Sequence, residues 1–160
     1  PLEAKVIQVP KMYMFGMAAA FTDTIVHFTA IQELDSAWIE SKNNFLKSRD
    51  AYSYQLRDYL STNELMPHRT CIVFYGQNQK KLQKKLQKMR RLYTDPKKNA
   101  RHYDVRHITD ADFHFYVIDE SAAMADEEMA EKPRKEKKRH ADKGDPKPGK
   151  DDKRRKERRL

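Results

Sequence analysis

Apolar positions recur along the first 118 residues with two different periods. Lys11–Phe21 is almost continuously apolar, and the stretch after it alternates: Ile25, His27, Thr29 and Ile31 on one side, Val26, Phe28 and Ala30 on the other. Period two marks strands, and the polar Thr22-Asp23 break predicts an antiparallel hairpin with Gly16 as a bulge. Lys11 before an apolar run ending in Ala18-Ala19-Ala20 also resembles an export signal, but the alternation that continues it favours a strand. A helix is expected over 36–63, capped by Asp35 or Ser36. Its stripe is Phe45, Tyr52, Leu56, Tyr59 and Leu60, extended by Trp38 and Ile39. Arg69–Tyr75, β-branched and aromatic, reads as a strand buried on both faces.

A second helix is predicted over 78–93, where Leu82, Leu86, Met89 and Tyr93 form a core-facing stripe. Strands follow at 103–109 and 113–118 around a turn at 110–112, then a short helical turn over 121–129. The predicted fold class is α/β (α+β), one domain over residues 1–121 with element order β-β-α-β-α-β-β. Its mixed sheet is expected to be parallel in the middle, because each strand–helix–strand crossover makes its strands parallel. Two helices cover the sheet, and residues 122–160 form a linker and a disordered basic tail.

Charge changes this picture of an ordinary domain. Of the 33 Lys and Arg residues, 15 lie in the last thirty positions, against 7 of the 24 Asp and Glu. Such a segment buries too little apolar surface to offset its conformational entropy. Residues 1–130 hold 18 cations against 17 acids, so nearly all the basicity sits on the arm, which points to a polyanionic partner. The arm has two basic blocks, Arg134, Lys135, Lys137, Lys138 and Arg139, then Lys153, Arg154, Arg155, Lys156, Arg158 and Arg159. Lacking interleaved aromatics, it suits backbone attraction without base stacking.

The second predicted helix is the other concentration of charge. Lys80, Lys81, Lys84, Lys85, Lys88, Arg90 and Arg91 carry no intervening acid, while the rest of the body has 11 cations against 17 acids. Like charges at i, i+4 cost a few tenths of a kcal/mol each, and lysines in a first turn oppose the helix dipole. An anionic ligand relieves both; a solvated lysine face is the plain alternative. Lys97, Lys98 and Arg101 in the next loop extend the patch. Gln77 and Asn78, where this helix follows a strand, mark the expected anion pocket.

Asp110, Asp112 and His114 are the candidate metal ligands, since on an extended strand they share one face. A turn at 110–112 breaks that alternation. Cys71, alone of its kind, lies in an apolar run and is expected to be buried and inert. A phosphate-binding glycine loop, a nucleophile motif and a paired-cysteine metal site are all missing, so no cofactor is expected.

Gly16–Asp23, Phe28–Gln32 and His68–Phe74, with the lysine-rich helix, are similar to stretches in a group of small proteins of Bacteroides-type bacteria to which no function is assigned. The resemblance covers residues 12–118, implies no activity or ligand, and favours a bacterial cytoplasm. The leading expectation is a non-enzymatic accessory protein that binds nucleic acid, RNA or a ribonucleoprotein before DNA, through the helix cations and the tail. A protein-interaction module whose tail meets an acidic protein or a membrane surface is the second reading. A small metal-dependent phosphoesterase is the third.

Overall fold

The apolar run near the start of the chain falls within one long strand, β1 (Val6–Ala19), on which a five-stranded mixed sheet is built. The computed structural model describes residues 5–122. β2 (Ile25–Thr29) and β3 (Gln32–Glu40) both run antiparallel to β1, β2 beside Met17 and Ala18 and β3 along Val6–Met14. Between the pairs Met17↔Phe28 and Met14↔Gln32, β1 uses two residues and its partner three, so a bulge lies within 29–31. Gly16 faces it. The Thr29 hydroxyl accepts the Gly16 N–H at 2.8 Å, and a Cβ on Gly16 would stand 2.7 Å from Leu56 Cδ2. The bulge therefore belongs to the partner strand, and the glycine serves close approach of a helix.

β4 (Thr70–Gly76) pairs antiparallel with the other edge of β1, and β5 (Asp104–Ile108) runs parallel to β2. Parallel pairing thus falls at one edge of the sheet, not in its middle. β4 is also an edge strand: Val73 is fully buried, while Ile72 is 44% exposed, so burial on both faces does not hold. Two helices, α1 (Arg49–Thr62) and α2 (Gln79–Thr94), pack on opposite faces. Because side chains alternate along a strand, Met14 and Ala18 join the α1 core with Leu56 and Leu60, whereas Phe15 and Met17 join the α2 core with Leu82.

The α+β class, the mixed sheet and its two helices agree with the expectation; the placement of two elements does not. The helix expected over 36–63 is β3 followed by α1, in order β-β-β-α-β-α-β. Period two is hidden there because the buried face slips by one residue, from Leu34 to Ala37, at Ser36, whose φ is 61°. β1 slips in step, from Val9 to Met12 across Pro10. The α1 cap is Ser48, not Asp35 or Ser36; its hydroxyl donates to Glu120 and does not cap the helix.

Residues 113–118 form no backbone ladder. Side-chain amides hold the segment instead. Gln32 Nε2 donates to Phe113 O at 2.8 Å and its Oε1 accepts from Phe115 N at 2.7 Å; Gln55 does the same for the two backbone groups of Tyr116. Tyr52 Oη accepts from Ile118 N at 3.0 Å. This anchoring puts Phe113 and Phe115 into the α1 core. The tail and most of the expected 121–129 turn lie outside the described residues. Among the described residues, no helix is long and apolar enough to cross a membrane.

Candidate nucleic-acid interface

α2 is laid on the sheet by one stripe and shows its charge on the other. Leu82 is buried, and Leu86, Met89 and Tyr93 pack partly buried around Phe15, Met17 and Phe28. At 3.6 residues per turn, Lys80, Lys84, Lys88 and Arg91 lie on the opposite side of the helix, and all four are exposed. Lys81 and Lys85, also exposed, run along one flank. Lys85 Nζ stands 5.7 Å from the Phe74 ring centroid, and Arg90, half-buried on the other flank, lies over Phe28 at 5.8 Å.

The described ion pairs join Lys11 to Glu33 and Asp35, Lys47 to Glu40, Arg69 to Asp23 and Arg106 to Asp104. None of the seven α2 cations takes part in an ion pair among the described residues. The helix also lacks an acid in its first turn, where the Asn78 side chain accepts the Lys81 N–H at 3.1 Å. Repulsion along this ridge is thus left to water and counterions, which a polyanion displaces.

Lys97, Lys98 and Arg101 are exposed on the loop after α2. Asp95 shapes that loop by accepting the Lys97 N–H at 2.9 Å and the Lys98 N–H at 3.0 Å. The pocket expected at Gln77 and Asn78 is a cleft of about 400 Å³ whose cations are Arg49, Lys81 and Lys85. Arg49 is already engaged there, donating to Val73 O at 3.1 and 2.7 Å on the β4 edge. The arm candidates, Arg134 to Arg139 and Lys153 to Arg159, lie outside the described residues.

Asp110, Asp112 and His114 are not brought together. A helical turn from Thr109, whose carbonyl accepts the Asp112 and Phe113 N–H groups, ends the alternation they need. His114 Nδ1 lies 2.7 Å from Phe115 O. Among the described residues, no three His, Cys, Asp or Glu side chains form a metal-holding group. Cys71 is half-buried, and desolvation pushes its thiol up to about 11, against a weaker opposing pull from Arg57 and Arg69.

At the C-terminal end of α2, a hollow of about 250 Å³ is lined by residues that include Phe21, Ile72, Tyr93, Arg101 and Tyr103. Phe21 is 96% exposed on the hairpin turn, although the sequence reads it as the end of a strand. Its position beside the polar Thr22-Asp23 break was the available signal. No family model, curated protein or solved structure matches the chain.

Proposed function

We propose that this chain binds nucleic acid, RNA or a ribonucleoprotein before DNA, as a non-enzymatic accessory protein. The observation that carries the reading is the exposed α2 ridge, whose cations have no carboxylate partner among the described residues. Its apolar stripe fixes the helix to the sheet, so the cations are presented on a rigid element. Phosphate contacts of this type set affinity without choosing sequence. The tail adds fifteen further cations, which raise association rate and affinity through effective concentration.

Retention of a structured RNA at low and high salt tests this, with the full chain, a chain ending at residue 130, and the full chain carrying Lys84→Glu and Lys88→Glu. Both altered forms should bind more weakly and less salt-dependently. Equal retention by all three, or salt-insensitive binding, contradicts the proposal.

A further inference from the structure

We infer that the hollow beside the C-terminal end of α2 takes an unpaired nucleobase, which makes single-stranded RNA the preferred ligand; this rests on the α2 phosphate-binding reading. Phe21 and Ile72 leave a large apolar area in water at the mouth of the hollow, 96% and 44% exposed. Tyr93 and Tyr103 form its aromatic wall, edge to face with centroids 5.1 Å apart. Stacking on such side chains suits any base, because every base has a π-face.

The turn that carries Phe21 is held in place before a ligand arrives. Arg69 grips Asp23 through two hydrogen bonds, Nη1 to Oδ2 at 2.6 Å and Nη2 to Oδ1 at 3.1 Å, and Ile25 N donates to Asp23 Oδ1 at 2.9 Å. This clamp pins the turn that carries Phe21. It also neutralises Asp23, the one carboxylate among the hollow's described lining residues, so the mouth does not repel phosphate. Arg101 lines the same hollow, and Arg91, Lys97 and Lys98 lead from the α2 ridge into its loop. A strand whose phosphates follow the ridge thus arrives at an aromatic hollow with a cation beside it. Stacked, paired bases of a duplex are withheld from such a site. An apolar protein side chain fits the walls too, but the surrounding cations favour the nucleotide.

The test uses the full chain and an RNA strand of about ten nucleotides carrying 2-aminopurine. The same sequence as a duplex, and free adenosine monophosphate, serve as competitors. The single strand should bind more tightly than either, with a change in 2-aminopurine emission. Phe21→Ala, at a solvent-exposed position, should weaken single-strand binding about 5- to 150-fold and leave both duplex binding and the salt slope unchanged. Lys84→Ala with Lys88→Ala should lower the salt slope and keep the emission change at saturation. Equal affinity for strand and duplex, with no effect of Phe21→Ala, overturns the base site while the phosphate reading stands. Free nucleotide binding as tightly as the strand overturns the strand preference. No binding of any RNA at low salt removes both readings.

Discussion

Replacing Gln32 by Leu removes the two hydrogen bonds that stand in for a β-ladder between β3 and residues 113–118. Gln32 is 3% exposed, and its partners, the Phe113 carbonyl and the Phe115 N–H, are bonded in the buried α1 core. Water does not reach them, so each group loses its partner at about 1–3 kcal/mol. Leu recovers some apolar burial, which puts the net loss at about 2–5 kcal/mol. That is a large share of the roughly 5–15 kcal/mol that holds a domain folded. Gln55→Leu is the matched control. It removes the same bidentate pattern from Tyr116, but there both groups are at the surface and water replaces the amide, so the cost is under about 1 kcal/mol. Equilibrium unfolding in guanidinium reads the difference as a fall in midpoint at constant slope. Equal losses for the two variants, or a Gln32→Leu loss within about 0.5 kcal/mol of zero, would refute the reasoning.

Three further perturbations follow from the packing and the titrating groups. Gly16→Ala puts a Cβ 2.7 Å from Leu56 Cδ2 and 3.1 Å from Phe115 Cζ, which should lower stability by about 1–3 kcal/mol in the same assay. His27 is held below its usual 6.5 by burial first and then by Arg69 and Arg106. The unfolded chain therefore takes up its proton first, and stability falls as pH drops below 6.5. His27→Gln should flatten that part of a stability–pH curve. The loss below 3.8 should remain, because there Asp23, held low by its hydrogen bonds to Arg69, becomes protonated. Cys71, with its thiol raised from 9.0 to about 11, should react with iodoacetamide roughly 100-fold more slowly in the folded chain than in denaturant at neutral pH.

Much of the scaffold is legible in the sequence because its patterns are local. The Leu82–Leu86–Met89–Tyr93 stripe forms α2 with Asn78 as its cap, and the apolar run before Thr22-Asp23 with the alternation after it forms the first hairpin. The third strand is not legible, since Ser36 at positive φ and Pro10 in β1 shift the buried face mid-strand and leave a spacing that imitates a helix. The 113–118 segment does read as extended. That glutamine side chains replace its ladder depends on Gln32, 81 residues away in sequence, which no local pattern reveals. The ridge cations are evident from composition. The hollow is not, because it brings together Phe21 from a turn, Ile72 from an edge strand, Tyr93 from α2 and Arg101 and Tyr103 from the chain beyond it.

The most direct test of the central claim, that the α2 ridge contacts phosphate, is the slope of log affinity against log salt for a single-stranded RNA. Each phosphate contact contributes about −0.7, so the full chain carrying Lys84→Ala and Lys88→Ala should show a slope shallower by about 1.4. An unchanged slope would contradict the account, because those two ammonium groups would then meet no phosphate.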